Sequence, residues 1–202
     1  MKNLKKALNS CLKSLSIFKK KCYTTVVNIT GYDRNQNIKK EVRKVKEAKQ
    51  MPTVFDVANW FLSKSPMTHK KLQKLCYYAQ AWCYALKDRP FMTTEFQAWT
   101  HGPVSYELYS FYRGSRYKDL IYDGTPLYKF TPDDEDLLLS VWETYGDMSG
   151  NALEVLSHSE PPWQNARKGC PDANAHCTEK ISPDDMKTYY RSIYIGDTQT
   201  EA

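Results

Sequence analysis

Lys71-Leu72-Gln73-Lys74-Leu75-Cys76-Tyr77-Tyr78-Ala79-Gln80-Ala81-Trp82-Cys83-Tyr84-Ala85-Leu86 is the stretch that decides the fold. Leu72, Leu75, Cys76, Ala79, Trp82, Cys83 and Leu86 recur at intervals of three and one, the spacing of a broad apolar stripe along one α-helix. Ser65-Pro66 offers that helix a cap and a proline at its first turn, and Asp88-Arg89-Pro90 ends it.

Helical spacing continues on both sides. Upstream, Val54, Val57, Ala58, Phe61 and Leu62 form a shorter helix, with Thr53 and Asp56 placed as a variant capping box. Downstream, Glu95–Thr100 reads as a short strand, His101-Gly102-Pro103 as a sharp turn, and the residues through about Arg113 as a helix. Gly114 and Asp123-Gly124-Thr125-Pro126 mark turns, and Leu127–Phe130 reads as a second short strand. Thr131-Pro132 opens a helix that buries Leu137, Leu138, Val141, Trp142 and Tyr145 and stops at Gly146. Shorter helices follow at Ser149–Ser157 and Pro162–Lys168. Ser182-Pro183 starts the last one, with Met186, Tyr189, Tyr190 and Ile193 inward. The expected fold is mainly α: a compact multi-helix domain with a small β-hairpin, preceded by a basic N-terminal extension.

Charge separates those two parts. The 202 residues carry +6 overall, yet residues 1–50 hold 14 Lys/Arg against Asp33, Glu41 and Glu47, or +11. The other 15 basic and 20 acidic residues leave the remainder at −5. Domain boundaries are expected at 1–50 for the extension or linker, 51–195 for the helical domain, and 196–202 for a flexible tail. Within the extension, residues 2–20 read as a basic amphipathic helix and residues 23–30 have strand composition. Lys19, Lys20, Lys21, Lys39, Lys40, Arg43 and Lys44 are the candidate nucleic-acid contacts. Solvated lysines are the simpler account of them. Translation starting at Met51, the first methionine after Met1, is a further alternative for residues 1–50.

Composition excludes several classes. Hydrophobic content of 41% with 13% aromatics and 15 tyrosines is too rich for a disordered chain. No apolar run approaches the roughly 20 residues of a membrane-spanning helix, so no membrane partner is expected. The six cysteines, with no C-x-x-C among them, favour reduced thiols and a cytoplasmic location.

Chemistry is sparse. The chain lacks a phosphate-cradling glycine loop, a G-x-S-x-G elbow and an H-E-x-x-H helix. Cys76 and Cys83 fall on the apolar face and read as core residues rather than a metal half-site. Cys170, His176 and Cys177, with Asp172, match no common zinc spacing. Nothing local pairs a cysteine nucleophile with a histidine base. The expectation is no enzyme, no cofactor, no metal and no catalytic residues. His158-Ser159-Glu160-Pro161-Pro162-Trp163 reads as a rigid corner or a recognition pocket, and the residues alone favour the corner.

Several segments together resemble the Panacea domain of SocA-like antitoxins and phage-associated proteins. Lys71 through Trp82 is similar to the family's K-L-Q-K-L-x-Y-Y-x-Q-x-W run. Gln97-Ala98-Trp99-Thr100-His101-Gly102-Pro103-Val104 resembles its A-W-x-x-G-P-V turn, followed by Glu107-Leu108-Tyr109. Val141 through Gly146 and His158 through Trp163 come in the family's order, so the likeness spans about residues 54–194. Cys76 and Cys83 depart from the pattern.

The resemblance implies a helical, cytoplasmic binding protein, associated with prophages and phage defence, that neutralises a cognate protein toxin by direct contact. It also implies a second route, delivery of the toxin to a cytoplasmic protease. Candidate partner-binding or motif residues are Trp99, His101, Gly102, Pro103, Val104, Glu107, Tyr109, His158, Pro162 and Trp163. A nucleic-acid-binding regulator acting through residues 1–50 is the alternative function.

Overall fold

The computed structural model describes residues 51–170, 172 and 175–199. The candidate nucleic-acid contacts, and the helix and strand expected before residue 51, lie outside the described residues. Seven α-helices and two small antiparallel strand pairs make up the described part.

Helix α1 (Val54–Leu62) begins at the expected capping box: the Thr53 hydroxyl accepts from the Asp56 amide, and Asp56 accepts from the Thr53 amide at 2.7 Å. Its Val54, Val57, Ala58, Phe61 and Leu62 are buried against helix α2 (His69–Lys87). Helix α2 starts later than Ser65-Pro66 suggests. A two-residue strand, β1 (Met67–Thr68), intervenes, and Thr68 is the cap, its hydroxyl accepting from the Lys71 amide. Asp88 ends the helix in left-handed conformation at φ 54°.

The expected stripe on α2 is in fact a whole circumference. Every residue from Leu72 through Cys83 is buried. A helix buried all round lies at the centre of its fold. Around it pack α1, α4 (Pro132–Tyr145), α5 (Gly150–His158) and α7 (Pro183–Gln199). Aromatic rings fill the space between: Tyr78 stacks on Tyr145 at 4.0 Å, and Trp82 lies 5.1 Å from Tyr190. The Trp82 indole N–H donates to the Tyr145 hydroxyl at 3.0 Å, so the polar tips of these two rings satisfy each other.

The small hairpin is β2 (Gln97–Trp99) paired with β3 (Gly102–Val104), in register Gln97↔Val104, Ala98↔Pro103 and Trp99↔Gly102. Residues flanking Lys180 run beside β2, the Ala98 amide donating to Glu179 O and the Ile181 amide to Phe96 O, both at 2.8 Å. Helix α3 (Tyr106–Tyr112) follows, capped by Ser105, and then a 3₁₀ turn at Arg113–Ser115. The second strand pair differs from expectation. It joins β1 to β4 (Asp119–Leu120), while Leu127–Phe130 has no strand structure. There Phe130 serves by packing its ring on Phe91, 5.8 Å away. Helix α6 (Pro161–Arg167) completes the set.

Cysteine states also differ from the thiols favoured by composition. Cys76 and Cys83 are free and buried, whereas Cys170 and Cys177 form a disulfide with Cα atoms 5.8 Å apart. Nearby, the Arg167 guanidinium donates to the carbonyls of Asp172 and Ala175, at 2.8 and 3.0 Å. Among the described residues no helix is long and apolar enough to cross a membrane.

Candidate functional site

The residues singled out in the sequence meet around one feature, the approach of the β2–β3 turn to the first half of α2. Gly102 is at φ +93°, a conformation open to glycine and strained for other residues. A Cβ there would lie 2.8 Å from Cε and Nζ of Lys74 and from the Ser157 hydroxyl. The missing side chain is what lets the turn close over a fully buried lysine. Pro103 then offers its carbonyl to the Lys74 ammonium at 2.9 Å. Just past β3, the Gln73 amide pairs with the Ser105 backbone, accepting from its N–H at 2.9 Å and donating to its C=O at 3.1 Å.

Between these elements lies a cavity of about 440 Å³. Its floor is the start of α2, with His69, Gln73 and Lys74. Trp99, His101 and Val104 of the hairpin form one wall, and Tyr109 of α3 with Arg116 and Tyr117 of the following turn form another. The N-terminus of α5, Ser149-Gly150-Asn151, closes the remaining side. Trp99 meets Tyr109 edge to face at 4.7 Å, and His69 stacks on Tyr109 at 5.8 Å.

Electrostatics follow from burial. Desolvation is the largest cause lowering the Lys74 ammonium to about 7, with neighbouring Lys70 adding to it and Glu154 opposing. Burial, then Lys74, lowers His69 to about 4. Glu154 balances the rim: it pairs with Lys70 at 2.5 Å and with His101 Nδ1 at 2.9 Å. Arg116 is held at φ 52°, ψ −114°, an uncommon backbone state for a residue with a Cβ.

The remaining candidates take other places. Trp163 stacks on His158 at 4.0 Å and donates its indole N–H to Trp99 O at 3.1 Å. Pro162 is buried at the start of α6. These three form the rigid corner, bracing the hairpin from behind. Glu107 is exposed on the first turn of α3, outside the cavity lining.

Glu160 was given no role by sequence reasoning, and neither were Lys74, His69, Arg116 and Tyr117. Glu160 is buried and accepts from Tyr190 at 2.6 Å and from Tyr78 at 3.3 Å; burial pushes its carboxyl up to about 8. The available signal was a glutamine and a lysine, Gln73-Lys74, inside an apolar run. Polar residues there survive burial only with partners supplied by the fold. Among the described residues no three His, Cys, Asp or Glu side chains gather as they would around a metal.

A central helix with a glycine-closed hairpin packed against it, and an aromatic cavity beside them, is the arrangement onto which a family description, "Antitoxin SocA-like, Panacea domain", matches over residues 72–164. The chain belongs to the family of SocA-like antitoxins. It is 31% identical over 172 residues to Antitoxin SocA of Caulobacter vibrioides (strain NA1000 / CB15N), a match covering 72% of this chain and 90% of that relative. No solved structure matches the chain.

Proposed function

We propose that this protein is a non-catalytic antitoxin that neutralises a cognate toxin by direct protein–protein contact, the toxin being met in the cytoplasm. Membership of an antitoxin family supports the role. The surface observation that carries the contact reading is the band of exposed aromatic and aliphatic side chains on and after α3. Tyr106 is 58% exposed, Phe111 69%, Tyr117 91% and Ile121 75%. Large apolar groups left in water at one edge of a well-packed domain mark a binding surface, and aromatic anchors dominate interface energies.

Co-expression with the product of the adjacent reading frame tests the proposal. The expected result is growth arrest by that product alone, rescue by this protein, and co-purification of the pair. Arrest that persists beside abundant folded protein sinks it. Loss of rescue only in cells lacking a cytoplasmic protease, with the pair still co-purifying, would identify toxin delivery as the working route.

A second reading has its own observation, the +11 charge of residues 1–50. Nucleic-acid binding through that arm would fall steeply with salt. It would vanish when residues 1–50 are deleted.

A further inference from the structure

Lys74 is 1% exposed and lines the cavity, and the Pro103 carbonyl takes one of the three hydrogens an ammonium can donate. The lining contains no carboxylate. Lys70 and His101 at the rim are already matched by Glu154. Lys74 and Arg116 are therefore the lining cations with no acidic counterpart in the wall. Two helices of nineteen and nine residues, α2 and α5, also direct their first turns at the same space. Both helix dipoles put positive potential there.

The rest of the wall is flat and apolar. Trp99, Tyr109 and His69 present ring surface, and Val104 closes the gap. A volume of about 440 Å³ is within the range of small-molecule sites. The backbone gives a separate indication. Arg116 keeps its uncommon φ 52°, ψ −114° at the cavity mouth, where a glycine would sit without strain. Strained residues concentrate where a side chain is held for binding.

We infer that this cavity is a binding site for a small organic anion, a carboxylate on a planar apolar body. Its charge would lie against Lys74 and Arg116, and its ring over the aromatic wall that Trp99, Tyr109 and His69 form together. A phosphate alone would leave the aromatic walls unused, and a cation would find no carboxylate in the lining. Tyr117 belongs to both the cavity lining and the exposed band, whereas Phe111 and Ile121 lie outside the lining, so loss of toxin contact in a Phe111 variant with carboxylate binding intact tells the two roles apart.

The test uses the full chain and naphthalene-2-carboxylate, with naphthalene-2-carboxamide as its neutral counterpart, in calorimetric titration and by quenching of tryptophan fluorescence. One carboxylate is expected to bind per chain, at least about tenfold more tightly than the amide. Lys74→Met should remove that preference. Arg116→Gly should weaken the carboxylate several-fold while leaving thermal stability unchanged or raised, because glycine relieves the backbone. Equal binding of acid and amide, no saturable binding of either, or full affinity in Arg116→Gly would each overturn the assignment. Binding that survives in Lys74→Met with its acid preference intact would do so as well.

Discussion

The Glu160 carboxyl accepts a 2.6 Å hydrogen bond from the Tyr190 hydroxyl, tying the start of α6 to the middle of α7 where both groups are buried. Tyr78 of α2 donates to the same oxygen, so three helices meet at one acid. Burial raises that acid to about 8, and it is mostly protonated at neutral pH.

An acid raised in the folded state costs stability once it must ionise. The folded protein holds this proton between its unfolded value near 4.5 and about 8, so Glu160 makes stability fall as pH rises through that window. His69 and Lys74 act in the opposite sense. Their folded values are lowered, from 6.5 to about 4 and from 10.5 to about 7, so each adds stability as pH rises across its own window. The difference between wild type and Glu160→Gln isolates the acid, since glutamine keeps an acceptor for both tyrosines without titrating. The variant should match wild type near pH 4.5 and exceed it at pH 8 by on the order of 1 kcal/mol or more. Thermal melts across that range check it; a constant difference would refute the shift.

Gly102→Ala should be among the most damaging single-methyl changes in the domain. The added Cβ meets Lys74 and Ser157 at 2.8 Å, and the φ of +93° strains any L side chain. The clash falls on a fully buried lysine that the Pro103 carbonyl holds beneath the turn, so both terms add to about 2–4 kcal/mol. Denaturant titration measures it. Gly124→Ala is the control for strain alone, because φ is +86° there with open space around the Cβ.

The sequence made the helices legible where partial burial writes a period. Helices α4 and α7 each show one wet face and α1 a half-buried one, and the caps at Thr53 and Thr131 could be read directly. The start of α2 was misplaced because Ser65-Pro66 carries the local signal of a helix start, whereas pairing of Met67 with Leu120 decides the boundary. That pairing spans more than fifty residues, and no local pattern reports it. The candidate site was half legible. Trp99, His101, Val104 and Tyr109 do line the cavity. Lys74 and Arg116 stayed hidden, since a lysine in a helix and an arginine in a loop usually face water.

Surface and corner aromatics should separate cleanly on substitution. Phe111→Ser and Tyr117→Ser change side chains that are mostly in water, so melting temperature should move little. If the α3 band grips a toxin, each loses rescue of growth, and toxin binding weakens by about 1–3 kcal/mol. Trp163→Ala instead removes the ring stacked on His158 and the N–H held by Trp99 O, costing about 2–4 kcal/mol of stability. Rescue intact in both serine variants, with the toxin still co-purifying, would move the contact surface elsewhere.

Gln73 and Gln80 lie seven residues apart, two turns along α2, and each acts as a template for a segment of backbone outside the helix. Gln80 Oε1 accepts from the amides of Phe91 and Met92 at 2.9 and 3.0 Å, while Gln73 clasps Ser105 from both sides. The loop after α2 and the entry to α3 are then joined by the Thr94 and Ser105 hydroxyls, 3.0 Å apart. A methionine at either position keeps the volume and removes the partner, leaving buried backbone groups unmatched. Each such group costs about 1–3 kcal/mol, so Gln80→Met should lose roughly 2–5 kcal/mol, far more than the apolar gain returns. The two variants should differ in what else fails. Gln80→Met should expose the amides of Phe91 and Met92 to hydrogen exchange. Gln73→Met should free the hairpin and abolish the carboxylate preference at Lys74 with the Phe91 and Met92 amides still protected. Were both variants as stable as wild type, the polar residues in this apolar helix would be passengers rather than the fixtures that position the site.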